Sequence, residues 1–111
     1  MKQKISTDNA DGQISEIFDY LYEFNTTAAI QYVDTAYRTF ADLADYVMPR
    51  RASPHLPEYV REISVIGFKG YTLRIAYIED KIGLVAAFRP GFTDSMKNKY
   101  SYNGLRQLKT S

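Results

Sequence analysis

The 111-residue sequence predicts an α+β fold, in which an N-terminal helical hairpin packs on one face of a small, mainly antiparallel twisted sheet of three to four strands. Two observations predict this fold. The first half of the chain carries apolar residues at helical spacing in two consecutive stretches, and the second half carries three stretches in which apolar and polar residues alternate. Each amphipathic helix or sheet face needs a partner that buries it, so the helices are expected to cover the sheet.

The first helix is predicted to run from Asp8 to Phe24. Thr7 or Asp8 can cap its N-terminus, where acidic side chains also interact favourably with the helix dipole. Residues 2–5, ahead of this helix, can supply a short strand at the edge of the sheet. The large apolar residues of the helix recur at the spacing of one stripe: Ile14, Ile17, Phe18, Leu21 and Tyr22.

A second apolar stripe, which follows residues 25–27, predicts a second helix antiparallel to the first. Three prolines then lie within nine residues, so residues 49–58 are predicted to form a loop. The single histidine, His55, lies in that loop and is interpreted as a surface residue, because one imidazole without carboxylate partners does not form a metal site. The second stripe consists of Ile30, Val33, Tyr37, Phe40, Ala44 and Val47.

Beyond the loop the apolar period changes from about 3.6 residues to two, which predicts three strands. Residues 67–70 and 79–81 are short, turn-like connections, so neighbouring strands are expected to pair as an antiparallel meander. The residues predicted to face the helices are Ile63 and Val65 in the first strand, Tyr71, Leu73, Ile75 and Tyr77 in the second, and Ile82, Leu84, Ala86 and Phe88 in the third.

The register of the last hairpin decides where the basic residues lie. With a two-residue tip at 80–81, Leu73 faces Phe88 on the side of the sheet that covers the helices. Arg74 and Arg89 then lie as diagonal neighbours on the opposite side, within reach of one phosphate or carboxylate cluster. We therefore predict a sheet that is basic on its open face.

The charges are polarised along the chain although they nearly cancel overall. Residues 1–48 carry three bases against eight acids, and residues 49–111 carry eleven bases against five acids. This asymmetry favours a basic working surface for a polyanion or an acidic partner. The absence of cysteine excludes a disulfide framework, a thiolate zinc site and a cysteine nucleophile. Because no apolar run approaches the length of a membrane span and no hydrophobic leader is found, the expected location is the cytoplasm.

The order of these elements resembles the RelE/ParE superfamily of toxins from bacterial type II toxin–antitoxin systems. Residues 14–25 (ISEIFDYLYEFN) resemble the acidic first helix of that family, and residues 27–29 the opening of its second. Residues 60–63 (VREI) and 70–77 (GYTLRIAY) resemble two of its strands, and the similarity continues through 84–89. The resemblance implies a single domain over residues 1–91, the fold described above, and a cognate antitoxin protein that binds the toxin in a hetero-oligomer.

Members of this superfamily differ in mechanism. The RelE-like members are ribosome-dependent mRNA endoribonucleases, whereas ParE-like members bind DNA gyrase without catalysing a reaction. Glu62 and Ser64 stand where the RelE-like pattern has a pair of lysines, and Phe88 stands where many ParE-like chains have a histidine. We favour a ParE-like toxin, associated with growth inhibition and plasmid stabilisation. The RelE-like endoribonuclease acting on mRNA at the ribosome, and a degenerate non-toxic member, are the alternatives.

The resemblance also implies site residues. Arg74 matches an arginine common on the third strand of the family, and Arg89 matches a basic residue after the last strand. In an endoribonuclease these two arginines would hold the scissile phosphate, with Tyr100 or Arg61 assisting proton transfer. Glu62 can pair with Arg74 and orient it. No cofactor and no metal are expected. The predicted binding residues are Arg61, Arg74, Arg89, Lys97, Lys99, Tyr100 and Arg106.

Residues 92–111 form a basic, aromatic C-terminal tail beyond the predicted domain. The tail carries four bases and one acid, and Phe92, Tyr100 and Tyr102 lie among them. Basic charge with exposed aromatic rings suits single-stranded nucleic acid, through phosphate contacts and stacking. The alternative interpretations are a mobile terminus and a short helix that packs on the sheet.

Overall fold

The computed structural model describes residues 3–43 and 57–110, and these residues confirm the predicted α+β class. Two helices precede most of the sheet and a third helix follows it. The strands of the described residues are β1 (Gln3–Ser6), β2 (Val60–Ser64), β3 (Thr72–Ile78) and β4 (Lys81–Phe88). The helices are α1 (Asp8–Tyr22), α2 (Thr26–Leu43) and α3 (Asp94–Thr110). His55 and the predicted continuation of the second helix to Val47 lie outside the described residues.

The four strands form one mixed sheet in the order β1-β4-β3-β2. β2, β3 and β4 pair antiparallel as the predicted meander, and β1 lies at the edge, parallel to β4. β1 ends one residue later than predicted, at Ser6, and the chain enters α1 directly. Thr7 is the N-cap of α1, because its hydroxyl oxygen accepts a hydrogen bond from the backbone N–H of Ala10.

The sheet lies between two helical layers. α1 and α2 pack on one face through a core that includes Ile14, Tyr32 and Leu73. α3 packs on the other face, where Leu105 and Leu108 contact a second apolar cluster of the sheet. The prediction of an open sheet face is therefore wrong in the described residues. Of the interpretations of the C-terminal tail, the helix that packs on the sheet is the one observed, but α3 has 17 residues and is not short.

The register of the last hairpin also differs from the prediction. The turn is Glu79-Asp80, and Ile78 pairs with Lys81. Glu79 occupies the left-handed region with φ +49°. The tip of the hairpin is therefore one residue earlier than the predicted 80–81. In β3 and the first half of β4, the residues predicted to face the helices do face them.

A β-bulge at Val85 changes the second half of β4. Ile75 pairs with Leu84 and Arg74 pairs with Ala86, so Val85 has no partner on β3. Because of this extra residue, each side chain after the bulge lies on the opposite side of the sheet from the one that regular alternation predicts. Phe88, predicted to face α1 and α2, instead faces α3 and packs near its Tyr100 ring.

Two polar side chains of α1 satisfy the backbone that the bulge displaces. Asn9 Nδ2 donates to the carbonyl oxygen of Val85 at 2.8 Å and to that of Tyr100 at 3.0 Å. Gln13 Oε1 accepts from the backbone N–H of Ala87 at 2.9 Å. Because buried backbone groups without partners are costly, these two residues stabilise the irregular strand. Asn9 additionally joins α1, β4 and α3.

Candidate functional site

Arg74 lies beneath α3 rather than on an open face. Its side chain is 1% exposed, and its Nε donates to Glu62 Oε2 on the neighbouring strand at 3.0 Å. Its Nη1 contacts Ser101 Oγ of α3 at 3.2 Å and Asn98 Oδ1 at 3.4 Å. The predicted pairing of Glu62 with Arg74 is thus observed. Arg74 links two strands to α3, so its surroundings are those of a buried structural cation.

Arg89 lies on the opposite side of the sheet from Arg74, because the bulge at Val85 reverses the alternation of β4 before the strand ends. The two arginines do not share a face, which corrects the predicted arrangement. The guanidinium carbon of Arg89 lies 4.1 Å from the centroid of the Tyr20 ring on α1. This stacking covers one face of the guanidinium group. Burial raises the pKa of Tyr71, and the nearby Arg89 charge opposes this rise in part.

A cleft of about 120 Å³ surrounds Arg89. Its remaining walls come from α1, from Ala87 of β4 and from two aromatic rings beyond that strand. Those rings, Phe92 and Tyr100, have centroids 5.8 Å apart. Arg89 and Tyr100, both predicted site residues, therefore line one cleft. The α1 residues that line it are Gln13, Glu16, Ile17 and Tyr20.

The other predicted site residues are dispersed. Arg61 is half-buried on β2, where its Nη1 donates to the carbonyl oxygen of Val60 at 2.9 Å. Lys97 Nζ lies 3.8 Å from Glu62 Oε2 and 5.9 Å from the centroid of the Phe88 ring. Lys99 is exposed on α3, and Arg106 lines a shallow polar recess beside the N-terminus of α1. Lys97 thus lies near the ion pair of Arg74 and Glu62. Arg61, Lys99 and Arg106 belong neither to that ion pair nor to the lining of the Arg89 cleft.

The outer surface of the helical hairpin carries a much larger recess, an open groove of about 860 Å³ between α1 and α2. We call it the hairpin groove. Its floor and walls are mostly apolar, and Ile30 in its wall is 58% exposed. The residues that line it are Asp11, Ile14, Ser15, Phe18, Ile30, Val33, Asp34, Tyr37, Arg38 and Ala41.

One end of the hairpin groove is polar. Asp11 Oδ1 accepts a hydrogen bond from Tyr37 Oη at 2.6 Å and another from Ser6 Oγ at 2.5 Å. Burial and the hydrogen bond to Asp11 raise the pKa of Tyr37 to about 12. At the rim, Arg38 Nη2 lies 2.9 Å from Asp34 Oδ2, so this arginine already has a carboxylate partner.

The sequence pattern placed the large apolar residues of the groove, among them Phe18, Ile30 and Val33, on the buried stripes of the two helices and did not predict the groove. The available signal was the width of these stripes, since Phe18 stays half-buried on α1 and Ile30 is 58% exposed on α2. The two helices therefore carry more large apolar side chains than their buried faces require. The pairing of Arg89 with Tyr20 had no sequence signal, since it depends on the bulge.

No group of three or more His, Cys, Asp or Glu residues in the described part of the chain is arranged to hold a metal ion. Among the same residues, no helix combines the length and apolar character needed to cross a membrane.

No protein-family model matches the sequence, and no curated protein matches it. Among solved structures, a chain of the chromosomal ParDE TA (toxin–antitoxin) system from P. aeruginosa is similar in fold, with a TM-score of 0.64. The similarity covers 82% of this chain and 98% of that chain at 15% sequence identity. The likeness therefore shows a shared fold: two N-terminal helices followed by a mixed sheet.

Proposed function

We propose that this protein is the toxin of a type II toxin–antitoxin module and that an antitoxin protein neutralises it. The observation that carries the proposal is the fold shared with a chain of the ParDE TA system, which agrees with the resemblance of the sequence to the RelE/ParE superfamily. Fold alone does not determine function, so the proposal also needs a surface that suits a protein partner.

The hairpin groove is that surface. A groove of about 860 Å³ lined mainly by apolar side chains suits the apolar face of one amphipathic helix. A helix laid between α1 and α2 would place apolar residues against Phe18, Ile30 and Val33. Asp11 at the polar end would accept a donor from the incoming helix. We therefore assign the groove to a helical segment of the antitoxin.

The toxin would inhibit growth by binding a target such as DNA gyrase rather than by cleaving RNA. Three features support the ParE-like mode. Glu62 stands where the RelE-like pattern has lysine, and its carboxylate neutralises Arg74. Arg74 itself is covered by α3, which keeps its guanidinium away from a phosphate in solution. Phe88 is buried and provides apolar packing in place of an ionisable ring.

The endoribonuclease is the second candidate, and one observation favours it: Arg89 and Tyr100 line the same cleft. An arginine beside a tyrosine can bind a phosphate and contribute a hydrogen-bond donor to it. A non-toxic member of the superfamily is the third candidate.

One experiment separates these functions. The protein is expressed from an inducible promoter, and growth, mRNA cleavage by primer extension and gyrase supercoiling are measured together. The proposal expects slowed growth and reduced supercoiling with intact mRNA, and recovery when a short neighbouring open reading frame is co-expressed. Codon-linked mRNA cleavage with normal supercoiling would assign the protein to the endoribonucleases. Unchanged growth at high expression would contradict both toxin functions.

A further inference from the structure

Arg89 differs from Arg38, Arg61 and Arg74 in the groups that its guanidinium contacts. Arg38 binds Asp34, Arg74 binds Glu62, and Arg61 donates to a backbone carbonyl. Arg89 stacks on the Tyr20 ring, and no carboxylate in the described part of the chain forms an ion pair with it. Stacking fixes the plane of the guanidinium group and leaves its N–H edges for an oxygen ligand. The site therefore holds an oriented cation whose N–H edges can bind a carboxylate oxygen.

The cleft around Arg89 is suited to a side chain rather than to a large cofactor. Its volume of about 120 Å³ is close to that of one amino-acid side chain, and Ile17, Phe92 and Ala87 give it apolar walls. Glu16 lines the same cleft. This acid makes the cleft unfavourable for a polyanion such as nucleic acid, whereas one carboxylate held against Arg89 would meet less repulsion.

α1 separates this cleft from the hairpin groove. The groove is lined by Asp11, Ile14, Ser15 and Phe18, and the cleft by Gln13, Glu16, Ile17 and Tyr20. Each set follows the i, i+3, i+4, i+7 spacing, and the two sets are offset by two residues. Because each residue turns an α-helix by about 100°, this offset places the two recesses on nearly opposite sides of α1.

We propose that the Arg89 cleft receives a carboxylate side chain, Asp or Glu, from the same partner segment that fills the hairpin groove. This inference rests on the proposed function. A helix is about 10 Å across, so a path over its outer side from one face to the opposite face is about 16 Å long, and about five extended residues at about 3.3 Å each span it. One segment can therefore lay a helix in the groove, cross the exposed outer side of α1 at Gly12 and Ser15, and insert its acidic residue beside Arg89.

The test uses two blocked tripeptides, acetyl-Leu-Glu-Leu-amide and acetyl-Leu-Gln-Leu-amide, which differ only in charge. Each is titrated into the isotope-labelled full chain, and NMR shifts of the Arg89 side chain and of Tyr100 give the affinities. We expect the glutamate peptide to bind at least about fivefold more tightly than the glutamine peptide, because the hydrogen bond to Arg89 is then charged on both sides. Arg89→Gln should reduce this ratio to about one, and Arg89→Lys should leave it between the two values.

Lys99→Gln is the matched control, since it removes an exposed cation that lines neither the Arg89 cleft nor the hairpin groove, and the ratio should stay as in the wild type. Glu16→Gln should strengthen binding of the glutamate peptide, about twofold to threefold, by removing a like charge. Equal affinities for the two peptides, or a ratio that persists in Arg89→Gln, would overturn the proposal. Shifts caused by a single-stranded thymidine hexamer but not by the glutamate peptide would assign the cleft to nucleic acid and also overturn it.

This outcome is independent of toxicity. The peptide ratio is measured on purified protein, whereas the proposed function is tested by growth and supercoiling. If growth is unaffected by the protein while the ratio behaves as expected, the toxin function fails and the carboxylate site stands. If growth slows and the partner still neutralises the Arg89→Gln variant at the same dose, the toxin function stands and the role of the cleft in partner binding fails.

Discussion

Gly104 of α3 lies directly against the backbone of Val85, the bulged residue of β4. A Cβ atom at residue 104 would lie 1.9 Å from the Val85 carbonyl oxygen and 2.7 Å from its carbonyl carbon. Both atoms belong to the backbone, so no side-chain movement can relieve the contact. The absence of a side chain at residue 104 therefore sets how closely α3 approaches the sheet, and with it how completely α3 covers Arg74.

We expect Gly104→Ala to destabilise the protein. Alanine gains about 1 kcal/mol of helix propensity over glycine, but the clash requires α3 to move away from β4 and loosens Leu105 and Leu108. Overpacking of this kind costs about 1–3 kcal/mol beyond that gain. Urea denaturation of the full chain measures the change. Gly12→Ala is the control, because nothing lies within 4 Å of its added Cβ, and it should stabilise by about 0.5–1 kcal/mol. Equal effects of the two variants would contradict the role of Gly104.

Removal of the Glu62 carboxylate should cost far more than removal of an exposed one. Glu62→Ala leaves the guanidinium of Arg74, which is 1% exposed, with neutral contacts among the described residues: Asn98 and Ser101 on α3 and the Phe88 ring. An unpaired buried charge costs about 3 kcal/mol. Asp34→Ala removes the carboxylate partner of an exposed arginine and should cost less than about 1 kcal/mol. The two free energies of unfolding, measured under the same conditions, check the difference. A cost below 1 kcal/mol for Glu62→Ala would mean that water reaches Arg74.

The first two helices and the strands followed from the sequence because their periodicity reflects the faces they bury. The start of α1 at its Thr7 cap and the meander of β2, β3 and β4 depend on local patterns. The bulge could not be predicted, because residues 84–88 (LVAAF) are apolar at every position. No polar residue in this run indicates which side chains face which layer. One unrecognised residue in this strand therefore moved Arg89 to the other side of the sheet.

The docking of α3 was equally hard to predict from its sequence. Residues 94–110 are mostly polar, and two leucines near the end provide most of the apolar contact with the sheet. In the sequence, Gly104 looks only like a glycine that weakens a helix, and nothing there indicates its close contact with Val85. The prediction of a basic open face was wrong for the same reason. α3 covers that face of the sheet, and in the sequence its residues look like those of a solvated terminus.

The pKa of Tyr37 predicts a loss of stability at high pH. Burial and the hydrogen bond to Asp11 raise this pKa from 10.0 to about 12 in the folded chain. The folded state therefore holds the phenol proton more tightly than the unfolded state, and this contribution is complete below pH 10. It is lost as the pH rises from about 10 to about 12. Tyr37→Phe should flatten part of the decline in unfolding free energy over that range. Superimposable profiles for the two proteins would show that Tyr37 does not contribute to it.

The hairpin groove gives the most direct test of partner binding. Ile30 is 58% exposed in the groove wall, so Ile30→Glu should leave folding nearly unchanged while placing a charge where the proposed partner helix buries apolar surface. We expect the variant to remain toxic and to need at least about tenfold more co-expressed partner for neutralisation, as judged by growth. Tyr102→Glu is the control, because Tyr102 is 63% exposed on α3 and does not line the groove. Neutralisation of Ile30→Glu at the wild-type dose would remove the groove from the interface. The glutamate would lie among Phe18, Val33 and an apolar helix, and the Arg38 side chain that lines the groove is already paired with Asp34.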